Sequence, residues 1–414
     1  MRRILKRFTG LFCVLALCLS MLPVSALAAE DAPSNQPTTL LSDDNVAKIE
    51  ENEYPTLDEA VNAAEDGATI ELLADATTKG WNLTKSLTIT SAPDLAEKPT
   101  VTFEKDGIAL WGKTLTFKGI DVVMNGVGST PYGEWTWMTI CASKDAVLAL
   151  DNVNMTMDAT GSTGSPHAIY FCSNNKLNLT NGSVLTIKNY PNDALEWDGG
   201  DGGYNVNITN STFISDHNRS GFTGTFYATI TNSKVDVVNN LGNGSNGSHF
   251  IIEDSEVNFN NNGSHGLSAG ELSIDNSTVN TKNNNGMGIT VNNAFTVENG
   301  SIVTVTGNAG NPSYGYAAVR LYNDYPFTVD STSELYIEDN NNTGLYVRQG
   351  NLAVEDGAVL KITGNKVSHS LLDGYGGGIY VGYGDNYDPT VILPADAIIC
   401  NNHALVAGDD IYEI

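Results

Sequence analysis

The chain has 414 residues, 48 of them acidic and 21 basic, for a net charge of −27, with 41 glycines and 17% charged residues. That charge balance excludes a nucleic-acid partner, whose phosphates it would repel, and it disfavours a polyanionic glycan such as pectate unless a local basic cleft overrides the field. It suits an exterior surface and admits Ca²⁺, a hard cation that prefers oxygen ligands.

Residues 1–28 have the pattern of an export signal. Arg2, Arg3, Lys6 and Arg7 form a positive start, residues 11–22 an apolar run too short to span a bilayer, and Ala26-Leu27-Ala28 a small-residue cleavage site. Leu17 stands before Cys18, where a lipoprotein signal needs a small residue. Cleavage would leave 17 basic residues against the 48 acidic ones, a balance of −31. It would also leave Cys141, Cys172 and Cys400, too few for a disulfide framework. Residues 29–53 are polar, without a sustained period, and read as a flexible leader. In 54–67, Leu57, Ala60, Val61 and Ala64 fall at helical spacing and Gly67 ends the run, predicting a short helix that caps the open end of a β-stack. Thr69-Ile-Glu-Leu-Leu-Ala then begins the first strand.

From there to residue 414 the chain repeats. Ile208-Thr-Asn210-Ser, Ile230-Thr-Asn232-Ser, Ile252-Glu-Asp254-Ser and Ile274-Asp-Asn276-Ser are spaced by 22 residues, with looser copies on either side. A fixed period of this size marks a solenoid. Around each anchor, apolar residues recur at −4, −2, +3 and +5: Val206, Ile208, Phe213 and Ser215 in one copy, Ala228, Ile230, Val235 and Val237 in the next. This is strand alternation on both sides of a turn whose Asn or Asp tolerates unusual backbone angles. A third strand follows, as in 267–269 and 289–291. Three strands and three bends per 22 residues describe a coil of a single-stranded parallel β-helix. Roughly eleven to thirteen coils at about 4.8 Å each predict a rod about 50–60 Å long. A column of Asn189, Asn218, Asn240, Asn262 and Asn284, eight residues after the anchors, predicts a structural amide ladder.

The helix, the Asn column and the Ile-x-Asn-Ser turns together resemble the pectin-lyase-like superfamily of right-handed parallel β-helices over about residues 54–414. Gly376-Gly-Gly-Ile-Tyr-Val381, Ile399-Cys-Asn-Asn-His-Ala404 and Gly408-Asp-Asp-Ile-Tyr412 look like the repeats of large adhesin-like bacterial surface proteins. Such motifs specify architecture; the fold hosts lyases, hydrolases, esterases and non-enzymatic adhesins. The polygalacturonase pattern is absent. Asp-Asp occurs at Asp43-Asp44 and Asp409-Asp410, away from the middle of the stack.

The strongest candidate site lies on a longer, more aromatic stretch. Asp198 and Asp201 on a glycine-rich loop offer oxygens to Ca²⁺. Trp197 and Tyr204 offer rings to a sugar. Glu196, Asp216, His217 and Arg219 offer acid, base and electrostatic partners. The competing reading is a flexible turn with a solvated charged face. Trp135 and Trp137 form a second aromatic loop, a sugar or partner patch if exposed and packing if buried. Cys141 and Cys172 are expected in adjacent coils, either stacked within disulfide reach or as two buried thiols acting as small hydrophobes. His249, His265 and His403 fall at different coil positions, against a shared metal site. Function on this reading is an exported, non-catalytic, adhesin-like protein binding carbohydrate or a surface partner, with no required cofactor. The alternative is an extracellular polysaccharide lyase or glycoside hydrolase. A last coil without a capping helix also suggests further repeats or a covering partner.

Overall fold

The computed structural model describes residues 45–131, 137–172, 174–197, 204–247, 249–309, 317–367, 374–382 and 389–413. Over them the chain is a right-handed parallel β-helix of three-strand coils with one short helix at the start. Among the described residues the first face is a 15-stranded sheet and the second a 13-stranded sheet. The third divides into a seven-stranded sheet, from Trp81–Leu83 to Ser245–Asn246, and a six-stranded sheet, from Leu267–Ala269 to Ile411–Glu413. Backbone bonds from Ser245 N to Gly266 O and from Gly247 N to Ser268 O bridge that division.

Residues one period apart lie directly over one another. Ile208 pairs with Ile230, Ile230 with Ile252 and Ile252 with Ile274, all in parallel register. The four apolar columns found in the sequence are interior throughout, including the polar members Ser215 and Thr281. Each coil buries its apolar side chains only because its neighbours cover them, so stability is a sum of coil-to-coil interfaces.

The turns have a physical logic of their own. Asn210, Asn232, Asp254 and Asn276 adopt left-handed backbone angles, φ 43–49°, which Asn and Asp tolerate better than branched residues. The backbone N–H of the serine after each one donates to the hydroxyl of the following coil's serine, as Ser233 N does to Ser255 Oγ at 3.0 Å. At the next corner an interior amide ladder runs through Asn218, Asn240, Asn262, Asn284, Asn308, Asn340, Asn365 and Asn402. From Asn240 onward each Nδ2 donates to the next Oδ1 at 2.8–3.2 Å. The last, Asn402, donates to Asp410 Oδ1 at 3.0 Å instead of to another asparagine.

Asn189 does not belong to this ladder, which corrects the expectation. It sits at φ 62° outside the barrel, in line with the exposed corner residues His217 and Asn261. Gly182 lengthens the preceding turn by one residue, so Tyr190 takes the interior position; its N–H meets Asn218 Oδ1 at 2.9 Å and its hydroxyl meets Thr139 Oγ1 at 3.2 Å. Burial pushes the Tyr190 phenol up.

The helix Leu57–Ala63 is capped by Thr56, whose side chain accepts from Glu59 N. Leu57, Ala60 and Val61 face the core, and Asp58 fastens the helix by accepting from Thr78 Oγ1 and Trp81 Nε1 at 2.5 and 3.0 Å. The proposed flexible leader ends earlier than expected. Ala47–Ile49 and Asn52–Tyr54 form an antiparallel hairpin that extends the first sheet beyond Ala68–Leu72. No helix among the described residues is long and apolar enough to cross a membrane.

Candidate functional site

The outer surface of the seven-stranded third sheet carries a close group of titratable side chains. Strand His167–Phe171 lies beside Leu195–Trp197 with Ile169 opposite Leu195 and Tyr170 opposite Glu196. The same register sets His167 level with Asp193, because Ala168 N bonds to Asp193 O and Ile169 N to Ala194 O. In both coils the alanine and the aliphatic residue that follow, Ala168-Ile169 and Ala194-Leu195, turn into the core. That leaves the polar residues flanking each dipeptide, His167, Asp193 and Glu196, on one patch of the outer wall.

One atom from each, an imidazole nitrogen and two carboxylate oxygens, falls within 4.8 Å of the others. His167 Nδ1 and Glu196 Oε2 are in direct contact. His167 Nδ1, Asp193 Oδ1 and Glu196 Oε2 are all shut off from solvent, and none has a hydrogen-bond partner beyond the trio among the described residues. His167 and Asp193 are only 8% and 3% exposed. Burial, then the neighbouring Glu196 charge, holds the Asp193 carboxyl above its ordinary range, partly offset by a hydrogen bond with Ser220 and by the charges of His167 and Arg219.

Aromatic rings frame the trio. Trp137 meets His167 edge-on at 5.5 Å and Tyr170 at 4.7 Å, and its carbonyl accepts from His167 N at 2.9 Å. Trp137 remains 38% exposed, at the rim of the patch. Beneath it Met138, Cys141 and Tyr170 form a small apolar cluster on the outer wall. Cys141 and Cys172 are free thiols with sulfurs 3.9 Å apart.

The candidates named from sequence separate into groups. Glu196 is in the trio, and Arg219, exposed on the adjoining coil, acts on Asp193 through its charge. Asp216 and His217 pair with each other at 2.7 Å at the end of strand Thr212–Asp216, and Asp216 also accepts from Asn239 at 2.8 Å; they belong to a corner and are not members of the trio. Tyr204 is no sugar platform. It is fully buried and stacks on Phe171 at 4.6 Å, because its strand alternation turns it inward. Trp197 packs partly buried against the core. Asp198, Asp201 and Trp135 lie outside the described residues. His167 and Asp193 were missed by sequence reasoning. The signal that would have found them is the pair of Ala-aliphatic steps 26 residues apart, which places His167 over Asp193 and Tyr170 over Glu196.

Comparison with known proteins adds little to this geometry. No protein-family model matches the chain, and no curated protein does. Among solved structures, the periplasmic alginate epimerase AlgG aligns over 84% of this chain and 85% of its own, at 11% identity and a TM-score of 0.30. A point mutant of AlgG aligns over 84% of both chains at 12% identity and 0.35. A double mutant covers 84% and 86% at 11% and 0.32. At such similarity the likeness says nothing about chemistry, and the fold assignment rests on the coil register itself.

Proposed function

We propose that this is an exported, carbohydrate-active β-helix of the lyase or hydrolase type, with His167, Asp193 and Glu196 as its reaction centre. The observation that carries the reading is the convergence of three ionisable side chains whose facing atoms are buried and otherwise unpartnered, beside an exposed tryptophan. Structural ion pairs satisfy their polar atoms; sites that retain orphaned, crowded ionisable groups are where proteins keep reactive chemistry. Cleaving a glycosidic link requires a proton donor for the leaving oxygen and a base or activated water on the carbon, and two carboxylates with an imidazole supply those groups. The excess of acidic residues favours a neutral or weakly charged glycan. Trp137, exposed at the rim, offers a ring on which a sugar could stack.

The test is product release by the secreted chain from a panel of neutral and weakly charged polysaccharides. At least one should be cleaved, and Glu196→Gln and Asp193→Asn should each lower turnover about 100-fold or more, while Asp216→Asn leaves it unchanged. Turnover that survives both substitutions would remove the trio from the mechanism.

A second reading, retention without turnover by an adhesin-like surface protein, is favoured by a different place. Tyr227, 46% exposed on the first sheet, stacks flat on His249 at 4.5 Å. The pair borders a depression of about 380 Å³ whose wall includes Ile251, Glu271 and Thr296. A flat aromatic face beside a carboxylate suits a saccharide. Glycan retention lost in Tyr227→Ala, with no product from any substrate, would make this the function.

A further inference from the structure

We infer that His167 Nδ1, Asp193 Oδ1 and Glu196 Oε2 form a three-ligand site for one divalent transition-metal ion. The inference concerns the same centre as the proposed reaction but rests on its geometry alone, so it stands or falls separately from glycan turnover.

Three features lead to it. The donors come from two adjacent coils, with His167 on one and Asp193 and Glu196 three residues apart on the other, so the rigid strand register fixes their positions before any ion arrives. Each facing atom is buried and lacks a partner outside the trio among the described residues. Two carboxylates brought this close in a nearly dry patch repel each other, and Arg219 is exposed at the edge instead of between them. A cation at the centre resolves all three at once.

The donor set also selects the ion. Ca²⁺ takes six to eight oxygens, typically at about 2.3–2.6 Å. One imidazole with two carboxylates is the borderline set that suits Zn²⁺, Co²⁺ or Mn²⁺. With metal–ligand bonds of about 2.0–2.2 Å, donors at tetrahedral angles stand about 3.3–3.6 Å apart. The farthest pair, within 4.8 Å, therefore closes onto an ion by up to about 0.7 Å per donor, while His167 and Glu196 separate to admit it. Three protein donors leave an open position, the arrangement in which a bound water or a substrate oxygen is polarised. Trp137 and Tyr170 give the site its apolar rim.

The experiment uses the full secreted chain, stripped with chelator and titrated with Co²⁺. The expected result is a visible ligand-field absorption that saturates at one ion per chain and is displaced by Zn²⁺. Ca²⁺ should neither produce nor displace it. Glu196→Gln should weaken Co²⁺ binding at least about 10-fold and His167→Ala at least about 100-fold, with Asp216→Asn unchanged. Circular dichroism on each variant confirms that the solenoid is intact; His167→Gln, closer in shape, replaces the alanine variant if it is not. Absence of saturable binding, or binding indifferent to both Glu196 and His167 substitutions, overturns the site. If Co²⁺ binds as expected and no glycan is cleaved, the metal site stands and the reaction proposal falls.

Discussion

At the scale of single residues, the interior asparagines show how position outranks chemistry. Asn261 and Asn262 are neighbours in sequence, yet one is an exposed corner residue at φ 59° and the other a buried ladder amide. Asn262 accepts from Asn240 N and Nδ2 at 3.2 and 3.0 Å and donates to Val237 O and Asn284 Oδ1 at 3.1 and 2.9 Å. Replacing it with leucine strands several of those groups where water cannot reach, each at about 1–3 kcal/mol. Asn262→Leu should therefore cost at least about 3 kcal/mol in denaturant unfolding. Asn261→Gly should stay within about 1 kcal/mol, because glycine accepts the left-handed angle freely. Equal stability of the two variants would deny the ladder its role. The same precision explains the misplaced Asn189. One inserted residue, Gly182, exchanges inside for outside, and residue type alone does not reveal the slip.

At the scale of the element, the coil corner explains a second column. Gly221, Gly244, Gly266 and Gly288 stand just before the third strand in successive coils. A Cβ at Gly266 would lie 2.6 Å from Asn284 Nδ2 and 2.7 Å from Gly288 O. Both atoms are committed to neighbouring coils, so neither retreats without disturbing the ladder. Gly266→Ala should destabilise by about 1–3 kcal/mol. The equivalent place in the coil after Gly288 is Ala318, where that coil is longer, and Ala318→Gly should change stability by no more than about 1 kcal/mol. Chemical unfolding of the two variants tests this, and a Gly266→Ala protein as stable as its parent would show that the corner is looser than its packing implies. Coil length is also what separated the legible from the hidden. Where coils kept to 22 residues, the anchors displayed every interior column in the sequence. Around the trio the coils run to 26 and 27 residues, from Ile169 to Leu195 and on to Phe222. The fixed period fails there, and His167 cannot be aligned with Asp193 until the strand register is known. Glu196 and Arg219 were visible because unusual residues crowd that stretch; their true partners were not.

At the scale of the whole molecule, the acidic excess opposes the stack that the register builds. Ion pairs such as Lys48–Glu71 at 3.0 Å and Lys188–Asp158 at 3.2 Å lie at or near the surface, where water and salt screen them and they contribute little. They leave most carboxylates without a cation, since acidic residues outnumber basic ones by more than two to one. Packing coils against one another brings those charges closer than they are in the unfolded chain, which weakens the compact state. Salt shortens the reach of that repulsion from about 30 Å at 0.01 M to about 8 Å at 0.15 M, while the buried apolar columns and the ladder are indifferent to it. The unfolding temperature should therefore rise with NaCl over that range, by a few degrees, and level off once the screening length falls below the spacing of surface carboxylates. Repeating the scan with choline chloride separates screening from specific Na⁺ binding, and chelator in the buffer removes the metal site from the comparison. A fall in unfolding temperature with either salt would mean that ion pairs, and not interior packing, decide the stability of the rod.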